Sequence, residues 1–282
     1  MAKKLGFIGT GNMATAIING AINAGVVAAW EIIASDTEAE QLAQISKSCN
    51  VETTPSNIDV AKNSEIIFLS IKPHIYQTVI DEIKSCIKPN AMVIILAAGL
   101  GLKHAKEMFG EGCKIKLIKT MPNTPARVNC GMTAVCAGEG VTKKDLDKVL
   151  KIFNSVGKTE ILPEYLFDAF TAISGSSPAY AFMFIEAMAD AGVKHGLSRR
   201  QAIDISAQAL LGAAKMVLET GENPATLKGE VCSPGGTTIA AVCELEKQGF
   251  RNAIISAVTV CAKKYKILGD SAPEPKETFE KV

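Results

Sequence analysis

The chain has 282 residues, of which 48% are hydrophobic and 21% charged, and its formal net charge is +1. This length predicts two domains, and the apolar content is enough for a sizeable buried core. The near-neutral charge, the single Trp and the four Tyr argue against nucleic acid as a partner.

The cysteine and histidine pattern predicts no metal site. The eight cysteines form no Cys-x-x-Cys pair, and the three histidines share no ligand-like spacing with them. Scattered cysteines in a chain of this length are typical of small apolar core residues that are kept reduced in the cytosol.

The sequence also predicts no membrane partner. Its longest apolar run, residues 91–102, contains two glycines and is shorter than the roughly 20 residues that span a bilayer. Residues 1–4, Met-Ala-Lys-Lys, imitate the start of a signal peptide, but the apolar run that follows stops at Gly9. We therefore expect a soluble, cytoplasmic protein.

The opening stretch predicts a dinucleotide site. A short strand at Leu5–Ile8 leads into Gly9, Gly11 and Ala14 in the spacing G-x-G-x-x-A, and a helix follows. Gly9 allows the tight turn, Gly11 leaves room for a pyrophosphate, and Ala14 lets the helix pack closely on the strand. The first-turn N–H groups of that helix would face the phosphates. An ordinary Gly-rich turn is the alternative interpretation.

Strands and helices then alternate as far as residue 162. This pattern predicts a doubly wound parallel sheet. The expected helices include residues 13–24, residues 37–48, a helix that starts at Lys72-Pro73-His74, and one between the last two strands. The expected strands after the first are residues 31–35, a short one near Val51, 66–71, 92–97, 114–119, 132–136 and 158–162.

From Pro163 onward the pattern is helical only, which predicts an N-terminal domain of residues 1–162 and an all-α domain of residues 163–282. Ser198 is a candidate N-cap for one helix. The helices are rich in Ala and apolar on more than one side, so we expect some faces to be buried against a second subunit. The predicted helices are residues 166–174, 178–195, 199–220, 224–231, 237–247 and 250–268.

Three polar loops interrupt these apolar segments. Met121–Pro125 follows a strand of the sheet, where loops line the ligand crevice of α/β proteins, although a plain turn is the alternative. Ser174–Tyr180 enters a helix, with Pro178 in its first turn and a serine as cap. Ser233–Thr238 enters another helix, and its glycines and hydroxyls suit a small carboxylate.

With these motifs the chain resembles pyrroline-5-carboxylate reductases over nearly its whole length. The matching segments are G-T-G-N-M-A at residues 9–14, I-K-P-H at 71–74, M-P-N-T-P at 121–125, S-G-S-S-P-A-Y at 174–180 and V-C-S-P-G-G-T-T at 231–238. The last two are specific to the family. The resemblance implies an NAD(P)H-binding Rossmann domain, followed by a helical domain that joins subunits as dimers; in several relatives the dimers form a decamer.

The resemblance also implies a reaction: hydride transfer from NADPH or NADH to the C=N carbon of L-1-pyrroline-5-carboxylate, which gives L-proline. The backbone of Gly236, Thr237 and Thr238 would hold the substrate carboxylate, and the Thr238 hydroxyl, the implied catalytic group, would contact the ring nitrogen. The turn of Ser174, Gly175, Ser176 and Ser177 would close the pocket. The implied cofactor-binding residues are Gly9, Thr10, Gly11, Asn12, Met13, Ser35, Asp36, Asn57, Lys72, Pro73, Ala97 and Asn123.

Two other functions are open at this point. β-Hydroxyacid dehydrogenases share the two-domain plan but resemble one another in a catalytic lysine on the first long helix of the second domain. Here that helix has no lysine before Lys194, at its far end. A dinucleotide sensor without turnover is the second alternative, but it would not need two hydroxyl-rich helix entries.

The cofactor preference depends on Asp36, which ends the second strand. An acidic residue there usually hydrogen-bonds the ribose diol of NAD and repels the 2′-phosphate of NADP. The family resemblance favours NADPH, so we expect both reductants to work. The alternative is that Asp36 only caps the next helix.

Overall fold

The structure, a computed structural model, describes residues 3–110 and 112–270. Its residues pack into two compact units. The first holds the described residues up to Gly175 and those from Cys261 onward, and the second is Ser176–Val260. The predicted domain 1–162 begins outside the described residues, and the predicted domain 163–282 ends outside them. Both limits stay a prediction. Residues 1–2, the first two of the four that imitate a signal peptide, also lie outside the described part.

The first unit is built on one eight-stranded sheet in the order β3-β2-β1-β4-β5-β6-β7-β8. Neighbouring strands are parallel from β3 through β6, and β7 and β8 are parallel to each other. The strand order reverses between β1 and β4, as in doubly wound folds. The strands are β1 Lys3–Ile8, β2 Ile32–Ser35, β3 Glu52–Thr54, β4 Ser64–Leu69, β5 Met92–Ile95, β6 Lys116–Met121, β7 Gly131–Ala137 and β8 Gly157–Ile161.

The predicted parallel sheet is therefore confirmed for six strands, whereas β7 runs antiparallel to β6. The cause is the connection between them, residues 122–130, which holds only a short 3₁₀ turn at Thr124–Val128. A parallel return needs a crossover of about a dozen residues or more, usually an α-helix. The M-P-N-T-P loop thus turns the chain back on itself beside β6.

Helices cover both faces of this sheet, and three of them are shorter than ten residues. Asn57–Asn63 was not predicted as a helix, because it is short; Ser56 caps it by accepting from the Asp59 N–H. The helices of this part are α1 Asn12–Asn23, α2 Ala39–Cys49, α3 Asn57–Asn63, α4 Tyr76–Ile83, α5 Leu102–Phe109 and α6 Lys143–Asn154, with a 3₁₀ turn at Pro73–Ile75.

The core of the first unit lies on these two faces. Alternate strand residues point to opposite sides, so Phe7 and Phe68 join one apolar cluster and Ile8 and Leu69 the other. The rings of Phe7 and Phe68 are stacked, with centroids 4.5 Å apart. This layered core fixes the carboxyl ends of the strands, where the candidate site lies.

The helix predicted at residues 166–174 is in fact three short pieces: a 3₁₀ turn at Glu164–Leu166, α7 at Phe167–Phe170 and a π-helical turn at Thr171–Gly175. The later helices agree with prediction. Ser198 caps α9 with a capping box that includes Gln201. They are α8 Ser177–Lys194, α9 Arg199–Thr220, α10 Pro224–Val231, α11 Thr237–Lys247 and α12 Phe250–Asp270.

The second unit buries very little of itself. Across Ser176–Val260, a stretch that the structure describes in full, the only buried residues are Ala189, Ala202 and Ser206. Large apolar side chains stay exposed on every helix; Leu211 is 57% exposed and Phe182 63%. None of the helices in residues 3–110 and 112–270 combines the length and hydropathy needed to cross a bilayer.

Candidate functional site

The two glycines of the opening motif differ in whether the fold itself requires a glycine at that position. Gly9 has φ +90°, its N–H donates to the Ser35 carbonyl at 2.8 Å, and a Cβ there would approach the Ser70 carbonyl oxygen at 2.6 Å. The fold itself therefore requires Gly9. Gly11 has an ordinary φ of −64°, and a Cβ there would meet nothing within 4 Å. Neither packing nor backbone requires Gly11, so the open space beside it suits the close approach of a ligand.

The N-terminus of α1 supplies hydrogen-bond donors at this open space. Gly11 is the N-cap and makes no side-chain cap, and the first turn, which begins with Asn12 and Met13, contains no acidic residue. The free N–H groups and the helix dipole favour an anion such as a pyrophosphate. Ala14 is fully buried behind this turn, as the motif predicts.

Asp36 is fixed against the Gly-rich loop. Its Oδ2 accepts from the backbone N–H and the hydroxyl of Thr10, at 2.7 and 2.9 Å, and its Oδ1 accepts from the Glu38 N–H at 3.1 Å. Burial acts to raise the pKa of Asp36, but these hydrogen bonds outweigh it and lower the pKa below its usual value. Asp36 is not the N-cap of α2; that position belongs to Glu38, which has no side-chain cap.

A hydrogen-bonded chain extends from β2 to α4. The buried Ser35 hydroxyl donates to Asn57 Oδ1 at 2.7 Å, and Asn57 Nδ2 donates to Glu82 Oε2 at 2.8 Å. The Ser35 and Asn57 side chains are therefore held in place before any ligand binds. No sequence signal pointed to Glu82.

The ends of β4 and β5 complete the edge. Lys72 is exposed after β4, and its ammonium group has no hydrogen bond or ion pair among the described residues; Pro73 follows it and Ala97 is buried after β5. Ser70, which the sequence did not single out, has a buried hydroxyl with no partner in the described part of the chain. The open space at Gly11, the free N–H groups and this unpaired hydroxyl all fit a bound dinucleotide.

Asn123 is placed differently from the other predicted cofactor residues. It is 8% exposed, its Nδ2 donates to the Ser174 carbonyl and hydroxyl at 3.0 and 3.2 Å, and its Oδ1 accepts from the Met132 N–H at 2.9 Å. The structure therefore joins Asn123 to Ser174, a predicted substrate residue, through direct side-chain contacts.

The serine turn begins in the π-helical turn, which holds Ser174 and Gly175, and ends in α8. Ser176 is the N-cap of α8, and Ser177 and Pro178 are its first two residues. The expected capping serine is not observed, since the Ser176 side chain makes no capping hydrogen bond. Ser176 lies at φ −97° and ψ −25°, outside the extended region in which a serine usually caps.

The entry to α11 is an uncapped helix N-terminus. Gly235 has φ +67°, and Gly236 is the N-cap without a side-chain cap; its N–H donates to the Ser233 carbonyl at 3.1 Å. Thr237 is the first helical residue and Thr238 the second, so a capping role for Thr238 is excluded. The Thr238 hydroxyl, half-buried, has no hydrogen-bond partner among the described residues.

The structure brings the predicted cofactor residues from Gly9 to Ala97 to one edge of the sheet. Asn123 lies apart from them, in contact with Ser174. Ser176, Ser177, Gly236, Thr237 and Thr238 belong to the second unit. Within residues 3–110 and 112–270 there is no group of three or more His, Cys, Asp or Glu side chains that could hold a metal ion.

Two family models match the chain. Residues 164–268 match the family described as pyrroline-5-carboxylate reductase dimerisation, and residues 4–99 match the one described as NADP oxidoreductase, coenzyme F420-dependent. The second match covers the Gly-rich loop and the ends of β2, β4 and β5. The first begins close to the residue where strands stop in the sequence.

Relatives that match over nearly their full length include pyrroline-5-carboxylate reductases. The chain is 46% identical to the pyrroline-5-carboxylate reductase of Escherichia coli strain K12, over 96% of this chain and 100% of that protein. A solved pyrroline-5-carboxylate reductase from Coxiella burnetii has TM-score 0.88 at 33% identity, covering 95% and 99% of the two chains. One from Plasmodium falciparum, solved with NADP bound, has TM-score 0.84 at 33% identity, covering 95% and 98%.

Proposed function

The chain belongs to the pyrroline-5-carboxylate reductase family, and on that premise we propose how its residues reduce L-1-pyrroline-5-carboxylate to L-proline. It is an NAD(P)H-dependent oxidoreductase that acts on a C=N bond in the last step of proline biosynthesis. The observation that carries the residue assignment is the entry to α11, where an uncapped helix N-terminus and the unpaired Thr238 hydroxyl occur together. A small cyclic imine with a carboxylate presents the matching groups.

The first unit would hold the dinucleotide. The N–H groups at the start of α1 would bind the pyrophosphate, beside the open space at Gly11. Asp36 and Thr10 would meet the adenine ribose, with Lys72 and Ala97 at the neighbouring strand ends. The reduced nicotinamide supplies the hydride when it is bound. The same cofactor role is proposed for Gly9, Asn12, Met13, Ser35, Asn57 and Pro73.

The substrate carboxylate would be held by backbone groups of Gly236, Thr237 and Thr238 at the start of α11. The helix dipole favours a negative charge there, and the donors point in one direction. The Thr238 hydroxyl, which no side chain of the described part engages, would bond the ring nitrogen. A protonated cyclic imine is already a good hydride acceptor, so the protein has mainly to orient it.

The serine turn would provide further contacts to the substrate. Ser174 and Gly175 lie in the π-helical turn, and Ser176 and Ser177 begin α8. π-Helical turns occur often at functional sites, because they change the direction of side chains within a helix. We assign these four residues to substrate binding.

We also infer that the chain forms homodimers through its helical domain. The second unit leaves its large apolar side chains exposed, and residues 164–268 match a dimerisation family. The resemblance extends to a decamer built from dimers, and light scattering on the purified protein distinguishes these two assemblies. The cytoplasm is the proposed location, since all eight cysteines are free thiols.

The alternative enzyme class fits less well. In α8 the one lysine is Lys194, at the last residue of the helix, far along the chain from the serine turn. A β-hydroxyacid dehydrogenase would require its catalytic lysine on this helix. A cofactor sensor without turnover is disfavoured by family membership.

A steady-state assay tests the proposal. The purified protein should oxidise NADPH and NADH when L-1-pyrroline-5-carboxylate is added, and it should reduce NAD(P) with L-proline or thiaproline at high pH. A 3-hydroxy acid serves as the control substrate and should give no turnover. Absence of turnover with every imine and amine substrate, in protein that still binds the cofactor, would support the sensor instead.

A further inference from the structure

Asn123 joins two loops that the sequence singled out separately. It lies in the loop after β6, and its side chain is almost fully buried, at 8% exposure. All of its amide groups are used: Oδ1 accepts from the Met132 N–H, and Nδ2 donates to the Ser174 carbonyl and hydroxyl. The loop after β6 thus holds the serine turn in place.

The orientation of this amide is fixed by its partners. The Met132 N–H can only donate, so the atom that faces it must be Oδ1. The Ser174 carbonyl can only accept, so the atom that faces it must be Nδ2. The reversed amide would place two donors together on one side and two acceptors together on the other.

The π-helical turn packs on the same loop. A Cβ at Gly175 would approach Thr171 Cγ2 at 3.1 Å and Met121 Cε at 3.3 Å, so the turn lies close against Met121. The Thr171 hydroxyl donates to the Phe167 carbonyl at 2.6 Å and closes the preceding turn. Ser174 is therefore positioned both by apolar contact and by the Asn123 amide.

These contacts decide what the Ser174 hydroxyl can do. Its oxygen already accepts a hydrogen bond from Asn123 Nδ2, at 3.2 Å, so its own hydrogen points toward another acceptor. We propose that Asn123 is a positioning residue for the substrate: it fixes the Ser174 hydroxyl as a hydrogen-bond donor to the substrate. This inference rests on the proposed function and replaces a cofactor-binding role for Asn123.

Two substitutions at Asn123 separate these roles. Asn123→Asp keeps the acceptor for the Met132 N–H and replaces only the donor that faces Ser174. The new carboxylate would accept a hydrogen bond from the Ser174 hydroxyl and repel the anionic substrate, so KM for L-1-pyrroline-5-carboxylate should rise by more than about tenfold. Asn123→Ala should raise it by about tenfold. The cofactor Kd, measured by NADPH fluorescence, should stay unchanged in both variants.

A double-mutant cycle with Ser174→Ala makes the test specific. If Asn123 acts through the Ser174 hydroxyl, the Asn123→Ala/Ser174→Ala protein should have the same substrate KM as Ser174→Ala alone. Thr124→Ala is the matched control, because Thr124 is the next residue, is exposed, and its hydroxyl makes no hydrogen bond among the described residues. It should leave both constants unchanged.

The outcomes are distinct. Additive effects in the cycle, or a raised cofactor Kd with an unchanged substrate KM, would overturn the positioning role. The proposed function would stay intact in that case, provided that the wild type reduces the imine. A wild-type protein without imine reduction would overturn the proposed function itself. If Asn123→Ala does not fold, the KM of Asn123→Asp, which retains the bond to Met132, decides: an unchanged substrate KM in that variant would overturn the positioning role.

Discussion

The two units of this chain differ in where their apolar side chains go. In the first, both faces of the sheet are covered, and residues such as Phe7, Phe68 and Tyr76 are fully buried. In the second, 85 residues long from Ser176 to Val260, Ala189 and Ala202 are the only buried apolar residues, and all of this stretch is described. The first unit is stabilised by its own core, whereas the second exposes the surface that would stabilise it.

This difference matches the division of work in a pyrroline-5-carboxylate reductase. A dinucleotide site needs a rigid sheet edge, which a complete core provides. A helical unit with little internal burial gains its stability from another surface, and its residues match a dimerisation family. The stability of the second unit should therefore depend on assembly, and that of the first should not.

The largest expected effect comes from charging the exposed helical surface. Leu211→Asp places a carboxylate on α9 at a side chain that is 57% exposed in the single chain. If this surface is buried between copies, the charge is desolvated without a partner, which costs several kcal/mol. We expect insoluble protein, measured by expression yield and by light scattering on any soluble fraction.

Trp30→Asp is the matched control for this experiment. Trp30 is 59% exposed and lies in the first unit, before β2. The same charge at the same exposure should leave the assembly intact there. A soluble, active monomer from Leu211→Asp, or a monomeric wild type, would contradict the comparison.

The complementary change is made in the core of the first unit. Phe68→Ala removes a fully buried ring that stacks on Phe7 and lies 6.0 Å from the Phe153 centroid. Such truncations cost about 3–5 kcal/mol. Cofactor binding should weaken at a temperature where the dimer still exists, followed by NADPH fluorescence and light scattering on the same sample. Simultaneous loss of both signals would mean that the units unfold together.

Most of this fold could be predicted from the sequence, because the signals are local. The alternation of apolar strands with helices indicated the sheet, and Ala-rich segments with helical spacing of apolar residues indicated the helical part. The direction of β7 was missed because alternation does not distinguish a parallel return from a reversal; the length of the connection, residues 122–130, does. The π-helical turn at Thr171–Gly175 lies against Met121, and periodicity does not show such a contact.

A smaller effect is expected at Thr238, which separates catalysis from stability in the second unit. Thr238 is not the N-cap of α11, and its hydroxyl has no partner among the described residues, so Thr238→Ala should leave the melting temperature nearly unchanged. Loss of a hydrogen bond that strengthens in the transition state should lower kcat by about 10²-fold. NADPH affinity should stay normal, and Thr238→Ser should restore most of the rate.

The opposite pattern would assign the hydroxyl a structural role. If Thr238→Ala keeps a near-normal kcat and melts several degrees earlier, the polar contact to the imine lies at another residue. The assay and the melting curve use the same preparation, so the two outcomes cannot be confused.

The site was predicted less completely than the fold. Motifs gave the loop at Gly9 and the entry to α11, because backbone geometry restricts which residues occur there. Side-chain partnerships are set by the folded chain, and residues far apart in sequence carry no signal for them. Thr10 with Asp36, Asn57 with Glu82, and Asn123 with Ser174 are three such pairs.

In the first unit, substitution of Asp36 tests cofactor selection, and its expected effect is smaller than that at Thr238. Its carboxylate is held at the end of β2 by Thr10 and Glu38, and its lowered pKa keeps it charged. A fixed negative charge there repels a 2′-phosphate. Asp36→Ser should lower KM for NADPH and raise KM for NADH, each by several-fold, without a change in the substrate KM.

Asp36→Asn is the control, because it keeps the shape and removes the charge. A strong preference for NADPH in the wild type that neither variant changes would show that Asp36 does not select the cofactor.

The smallest effect concerns ion pairs, which also differ between the units. Asp145, in the first turn of α6, accepts from Lys116 Nζ at 2.6 Å and from the Thr142 hydroxyl and N–H. Burial acts to raise the pKa of Asp145, but these hydrogen bonds outweigh it and lower the pKa from 3.8 to about 2. In the second unit, Asp190 pairs with Arg199 with both side chains more than half exposed.

Because the folded pKa of Asp145 lies below its unfolded value, the pair stabilises the protein above about pH 4, and this contribution is lost as pH falls toward 2. Asp145→Asn should therefore cost about 1 kcal/mol at pH 7, and the gap to the wild type should close near pH 2. Asp190→Asn should cost only about 0.3 kcal/mol at pH 7, since exposed pairs contribute little. Urea unfolding at pH 7 and pH 2.5 measures both, with the fluorescence of Trp30, the single Trp, reporting the first unit. Equal costs for the two variants would mean that the ion pairs do not follow the difference in burial between the units.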